Sequence, residues 1–295
     1  MTDIPQIFSF KRLVQHKERA QDYYMQDGFF HIMLLKDMLD RLTFILNDFD
    51  HIALVNCPPY LWEQAGGKAF EEKKNITHID HYSYLPEACY QGQKVMSLSS
   101  ENFNFPKEQY DLVLAPLSLH IMNDVPGVFR QILQSLKSDG VFLANVIGEN
   151  ILYQFHKAFT EAELDMTERA ISRIHPAVDV RMIGDLLSRA GFTLPVSDID
   201  HFPISYSNIM RVFSDLRMMG ETSIMSNIAP FLRRDVFGRV LETLSQNHMK
   251  EGKYHFDIDI ITMMGRSPSE KQQKPLQPGS AQKPLGEALK ELSEK

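Results

Sequence analysis

The stretch Tyr110-Asp111-Leu112-Val113-Leu114-Ala115-Pro116-Leu117 is almost continuously apolar, and it constrains the fold more than any other feature of the chain. A run this short cannot cross a bilayer, and unbroken apolar character suits a strand covered on both faces. Such strands belong to parallel sheets with helices on either side. The rest of the sequence keeps that rhythm. Short apolar β runs fall at residues 51–56, 76–81, 94–98 and 141–147, and helical patterns at 11–46, 61–73, 125–136, 151–170 and 179–190. Gly28 breaks the first helical pattern, Gly66-Gly67 lie inside the second, and Pro126 sits at the start of the third. Lys137-Ser138-Asp139-Gly140 reads as a turn. Residues 192–201 and 258–264 read as late strands, which predicts an antiparallel edge on a mostly parallel α/β sheet.

The chain has 295 residues, with 31 basic against 38 acidic side chains and a net charge of −7. That balance argues against a nucleic-acid protein, whose affinity comes mostly from Lys and Arg on phosphate. Two cysteines, Cys57 and Cys89, rule out a disulfide framework. The last 29 residues hold four prolines, four glutamines and six apolar side chains, too few to offset the entropy of ordering them. They carry five basic and four acidic groups, so the remainder carries 26 − 34 = −8 and the acidity lies in the body. The organisation expected is an N-terminal helical segment (1–50), an α/β domain (51–266) and a disordered tail (267–295). With no apolar signal or membrane span in the sequence, a cytoplasmic protein is expected.

Several stretches carry a family resemblance. Tyr110-Asp111-Leu112-Val113 is followed by Ser118-Leu119-His120-Ile121-Met122-Asn123-Asp124-Val125-Pro126, then by Leu136-Lys137-Ser138-Asp139-Gly140-Val141-Phe142. Further on come Arg189-Ala190-Gly191-Phe192 and Asp215-Leu216-Arg217-Met218-Met219-Gly220-Glu221-Thr222. Together these resemble class I S-adenosylmethionine-dependent methyltransferases. More narrowly, they resemble the methyltransferase-like group related to a mitochondrial complex I assembly factor. The malonyl-carrier-protein methyltransferase of biotin synthesis is a more distant likeness. The resemblance implies a Rossmann-like methyltransferase fold with helical additions at both ends. It also implies S-adenosyl-L-methionine as cofactor and either a protein acceptor or a respiratory-complex subunit as partner. Two functions follow: methyl transfer to an unidentified acceptor, or a catalytically degenerate homologue that acts as an assembly factor. Arginine hydroxylation of a complex I subunit is a third chemistry of the group, and no iron triad with the required spacing stands in this sequence.

The pattern fails at one loop. In the family, the first strand leads into Asp-x-Gly-x-Gly-x-Gly, whose glycines admit φ > 0 and close approach of the methionine moiety. Here Leu54 stands for the acid, and Asn56, Pro58 and Tyr60 stand for the glycines around Cys57. Asn tolerates a left-handed conformation, but proline has no N–H and a fixed φ, and tyrosine adds a ring. Apart from Gly28, no glycine precedes Gly66.

The candidate cofactor contacts are Asn56 and Cys57 in that loop and Asp80 at the end of the second strand, where an acid meets a ribose diol. Glu101 and Asn102, after Ser99-Ser100, and Ser118 complete the set. His120, Asn123 and Asp124 follow the fourth strand and are the catalytic candidates. His120 could act as a base or orient an acceptor, or it could bond the loop together with Asn123, while Asp124 caps the next helix. Arg217 and Glu221 could recognise a protein, or pair with each other four residues apart. His78, Asp80 and His81 hint at a metal, but strand alternation sends His81 to the opposite face, so no metal is expected.

Overall fold

The computed structural model describes residues 5–45, 47–70, 74–80, 94–97 and 101–273. Its strands are β1 (His51–Val55), β2 (Asn75–Asp80), β3 (Lys94–Ser97), β4 (Tyr110–Ala115), β5 (Leu136–Ile147), β6 (Thr193–Tyr206), β7 (Met249–Lys250) and β8 (Lys253–Arg266). The sheet runs in the order β3-β2-β1-β4-β5-β8-β6, with β7 hairpinned onto β8. The first five strands in that order are mutually parallel, and β8 is antiparallel to both β5 and β6. The expected antiparallel feature is therefore at this end of the sheet, with the reversed strand one place in from the edge.

Both faces of the sheet are covered, as the apolar run at 110–117 requires. Along β1 and β4, side chains alternate between two apolar clusters. Ile52, Leu54, Leu112 and Leu114 enter one; Ala53, Val55, Val113 and Ala115 enter the other. The first cluster is closed by α1 (Phe10–Arg19), α2 (Phe29–Leu42) and α3 (Pro59–Gln64). The second is closed by α4 (Val125–Ser135) and α6 (Val180–Ala190). A third cluster joins α5 (Glu149–Thr167), α7 (Met210–Met218) and α8 (Arg234–His248) against the far end of β8.

Several boundaries differ from the sequence reading. The helical pattern at 11–46 is two helices separated by a π-turn (Tyr23–Asp27) and by Gly28 at φ 61°. The pattern at 61–73 stops after Gln64, and a short 3-10 turn (Gly67–Phe70) begins at the second glycine. The turn at 137–140 is absorbed into β5: Asp139 takes φ 64°, and a register shift opposite Tyr110 and Leu112 accommodates it. Residues 267–273 run beside this turn, where Ser267 N donates to Gly140 O (2.8 Å) and Gln272 Nε2 to Asp139 Oδ1 (2.8 Å). The rest of the expected tail lies outside the described residues. No helix among the described residues is long and apolar enough to cross a membrane.

Candidate functional site

In a parallel sheet, loops at the carboxyl ends of neighbouring strands form the crevice where ligands sit. The loop after β4 is built first by its own polar side chains. Glu101 accepts from Asn123 N (2.7 Å), Asn123 Nδ2 (2.8 Å) and Asp124 N (2.7 Å). Asp124 caps α4 by accepting from Gly127 N (2.9 Å). Asn123 in turn pins the N-terminal segment, accepting from Phe8 N (2.8 Å) and donating to Phe8 O (3.2 Å). The structure therefore places Asn123, Asp124 and Glu101 as the frame of the loop. Asn102 is exposed and accepts from Asn104 N.

His120 lies inside this frame, and its partner comes from far along the chain. His120 Nε2 lies 3.3 Å from Glu221 Oε2, and Lys17 Nζ lies 2.5 Å from Glu221 Oε1. The three side chains are only 9%, 5% and 4% exposed, for His120, Glu221 and Lys17 respectively. Lys17 also donates to Tyr24 Oη (2.6 Å), which donates to Met219 O (3.0 Å), and its Nζ stands 5.0 Å from the centre of the Tyr24 ring. Tyr23 Oη and His31 Nδ1 continue the network at 3.0 Å.

Burial alone would raise the Glu221 carboxyl, but the Lys17 ammonium and the bond and charge of His120 outweigh it. The carboxyl is held well below the usual carboxylate range, so Glu221 is an anion and His120 Nε2 donates to it. Burial, followed by the charge of Lys17, pushes the His31 imidazole down to about 3. His175, whose Nε2 accepts from Ile224 N (2.9 Å), is pushed down to about 4 by burial and then by His120. Both rings are neutral around one buried ion pair.

Backbone geometry brings the pair together. Helix α7 ends at Met218, so Glu221 leaves the helical path and does not pair with Arg217, which is exposed. Gly220 takes φ 70°, and a Cβ there would stand 3.0 Å from the carbonyl oxygen of His16. The turn before Glu221 can therefore lie directly against α1. Lys17 shares the buried stripe of that helix with Leu13.

The loop after β1 is close by and is built differently. Asn56 takes φ 52° and donates its N–H to Ile79 O (2.8 Å). Cys57 O is 2.9 Å from His78 Nδ1, and burial pushes the Cys57 thiol up, away from reactivity. Pro58 caps α3 in an extended conformation and Pro59 opens it. Tyr60 Oη donates to Gln26 O (2.7 Å), tying the loop to the N-terminal segment. Leu54 faces the apolar cluster under α2, where an acid would be a buried charge. Asp80 closes β2 and is buried, as is Ser118.

The structure thus unites His120 and Glu221 and places Asn56, Cys57 and Asp80 at the ends of β1 and β2. Arg217 is left outside. Ser99, Ser100 and His81 lie outside the described residues. Among those described, no three His, Cys, Asp or Glu side chains are grouped to hold a metal. Sequence reasoning missed Lys17, Tyr24, His31 and His175; the readable signal was a lysine at an apolar position of an amphipathic stripe, Leu13-Lys17-Ala20-Tyr24.

Comparison with known proteins adds to this geometry. A methyltransferase-domain family matches residues 66–144. "Arginine-hydroxylase NDUFAF5, mitochondrial" of Danio rerio is 34% identical over 200 residues, covering 68% of this chain and 60% of that protein. "Malonyl-[acyl-carrier protein] O-methyltransferase" of Methylovorus is 27% identical over 151 residues, covering 51% of this chain and 49% of that protein. The chain therefore spans about half to three fifths of these relatives' lengths. Among solved structures, YcgJ protein from Bacillus subtilis superposes with a TM-score of 0.53 at 12% identity, covering 81% of this chain and 98% of that one. The expectation of a cytoplasmic protein is overturned, because the relatives from Danio, Dictyostelium and human are all named mitochondrial. A search for apolar secretory segments is blind to mitochondrial targeting, which uses amphipathic, acid-poor sequence.

Proposed function

Since the chain carries a methyltransferase domain on the class I S-adenosylmethionine-dependent methyltransferase fold, we propose two activities that share one mouth of the sheet. The chain binds S-adenosyl-L-methionine at the carboxyl ends of β1 and β2, mainly through its nucleoside half. It engages a protein partner at the His120–Glu221 site. The convergence of His120 and Glu221 carries the reading. Two stretches that bear the family resemblance, 101 residues apart, meet in one buried contact. Relatives from Danio and human are named for arginine hydroxylation, and arginine is a side chain that a protein can present. A subunit of a respiratory complex is the partner class that the resemblance implies.

The residues fit the cofactor unevenly. Asp80, buried at the end of β2, suits the ribose hydroxyls, and the left-handed Asn56 supplies the turn that glycine supplies elsewhere. Among the described residues, the β1 loop offers the methionine half no backbone cradle. Pro58 and Pro59 offer no N–H, and the Tyr60 hydroxyl is committed to Gln26. When bound, the sulfonium supplies an electrophilic methyl group; the chain's own part is to orient the nucleoside and present the acceptor. The proline pair favours a second reading, a degenerate methyltransferase homologue that works as an assembly factor without turnover.

Isothermal titration with S-adenosylmethionine, S-adenosylhomocysteine and adenosine tests the cofactor assignment. Hydrogen bonds to charged groups contribute about 1.5–3 kcal/mol each, so losing two donors removes most of what the methionine half adds. The expected result is that S-adenosylmethionine binds within about tenfold of adenosine. The variant Pro58→Gly/Tyr60→Gly should gain on S-adenosylmethionine and not on adenosine. Wild-type preference for S-adenosylmethionine of about a hundredfold or more, close to 3 kcal/mol, would refute the loop argument. No heat with any of the three at millimolar concentration selects the degenerate reading.

A further inference from the structure

We infer that the outer edge of β6 is a homodimer interface: a second copy of this chain adds its own β6 antiparallel to it, about a two-fold axis at Ile199, so that the two sheets run on as one.

β6 closes the sheet on one side and is 14 residues long. A long uncovered edge is a template for another strand. Its register shows which groups are on offer. Gly148 N donates to Asp259 O (2.8 Å), so the odd-numbered positions of β8 turn to β5 and the even-numbered ones to β6. Asp198, Asp200 and Phe202 therefore carry the ladder to β8, while Ser197, Ile199 and His201 turn their N–H and C=O outward. No strand among the described residues pairs with that side. Pro203 at one end, and Pro195 at the other beside the bulge where Leu194 takes φ 49°, have no N–H to offer. The prolines confine a partner strand to the window between them.

That window is self-complementary. It reads Pro195-Val196-Ser197-Asp198-Ile199-Asp200-His201-Phe202-Pro203, the same chemistry in both directions from Ile199. An isologous two-fold contact demands this. About Ile199, Val196 meets Phe202 of the second copy, Ser197 meets His201, and proline meets proline where neither could donate. The pleat matches too, since positions equally spaced from Ile199 lie on one face. One face carries the exposed side chains of Ile199 and of Met182, which comes from α6 packed on β6. On the other face Asp198 meets Asp200 with Cβ atoms about 5 Å apart. Such like charges repel, but each chain brings the remedy: Arg41 Nη1 holds Asp198 and Nη2 holds Asp200, both at 2.6 Å. One strand edge and a flanking methionine fall short of the roughly 800 Å² per partner of a standard interface, which makes this a micromolar dimer.

Sedimentation velocity on the full chain over about 1–100 µM tests the interface. The wild type should pass from monomer to dimer within that range. Ile199→Pro removes an outward N–H at the axis and no bond to β8. Ile199→Lys sets two ammonium groups against each other there and keeps every backbone group, so it carries the test should the proline unfold the strand. Each should weaken association about tenfold or more. Arg41→Gln should weaken it as well, because four carboxylates are then left facing one another. Ser205→Pro is the control: its N–H also points outward but lies beyond the window, and the dimer should persist. A wild type that stays monomeric throughout overturns the inference. So does a dimer that survives both Ile199 variants, one as tight in Arg41→Gln as in the wild type, or one that Ser205→Pro abolishes.

Discussion

Removing either end of the Lys17–Glu221 pair should cost far more than removing both. Lys17 and Glu221 are 4% and 5% exposed and 2.5 Å apart. Each single variant leaves a desolvated charge without its main counter-ion, a loss of about 3–5 kcal/mol for buried pairs. Lys17→Met strands Glu221 with only His120 Nε2, and Glu221→Leu strands Lys17 with only Tyr24 Oη. Both residual partners are real, which sets the expectation for each single variant near 3 kcal/mol, about the lower end of that range. The double variant Lys17→Met/Glu221→Leu removes both charges and keeps the volume. It should fall within about 1 kcal/mol of the wild type or exceed it. The coupling energy is then about 5 kcal/mol or more, beyond what residues that do not interact can show. Urea unfolding reads all four proteins. With m on the order of 3 kcal/mol/M, each single variant should lower the midpoint by about 1 M at unchanged m. Single-variant losses under about 1 kcal/mol, or losses that simply add, would refute the claim that this is a desolvated pair.

Gly28→Ala should cost about 2–5 kcal/mol, combining about 1–2 for a left-handed alanine with 1–3 for overpacking. The reason is that its new Cβ would stand 2.1 Å from Leu61 Cδ2 at φ 61°. Gly66→Ala, at φ 98° with nothing within 4 Å, is the control and should show only the conformational part in the same urea titration. Acid should destabilise the fold early. His31 and His175 have folded values of about 3 and about 4, below the ordinary 6.5. The unfolded chain therefore takes up protons first, and stability is lost as pH falls from about 6.5 to 4, at up to about 2.7 kcal/mol per unit for two groups. His175→Gln should roughly halve that slope, and a flat profile over the window would refute the assignment of two neutral buried rings. Glu221 adds a separate loss below the usual carboxylate range, because its folded carboxyl is depressed and its contribution fades only as pH falls toward that lower value.

The mostly parallel sheet was legible because unbroken apolar runs such as Tyr110–Ala115 leave a two-face-covered strand as the economical reading; the order of its strands was not. Helix ends were legible where a side chain makes them, as Asp124 does for α4. The turn at 137–140 was misread because its Ser-Asp-Gly composition is that of a free turn, whereas Arg266 and Gln272 reach Asp139 from distant sequence and stitch it into β5. The candidate site was half legible for a similar reason. His120 and Glu221 stood in stretches with a family likeness. Their contact depends on a helix that stops at Met218 and on a left-handed glycine, and neither is visible in local spacing. Lys17 was hidden because helical periodicity treats a lysine as part of a solvated face unless something outside the helix claims it.

The glycine-poor loop and the buried Lys17 share one anchor. Both are held by the segment from Phe8 to Gly28. Gln26 O takes the Tyr60 hydroxyl, Gly28 packs on Leu61, and Lys17 enters the pair with Glu221. A flexible glycine loop would gain nothing from such anchoring, because its task is to mould itself to a ligand; a proline-stiffened loop can serve as a fixed wall for the segment to rest on. Once the wall is fixed, the segment reaches across the mouth of the sheet and brings Lys17 into the buried pair with Glu221. Displacing α1 must then loosen both the Tyr60 tie and the Lys17 pair, which share one short stretch of chain. By linkage, a ligand that frees α1 and a ligand that reshapes the β1 loop help or hinder each other by the same factor. The sign follows from the shared anchor: each ligand that opens the segment has already met part of the cost for the other, so two such ligands should bind with positive coupling.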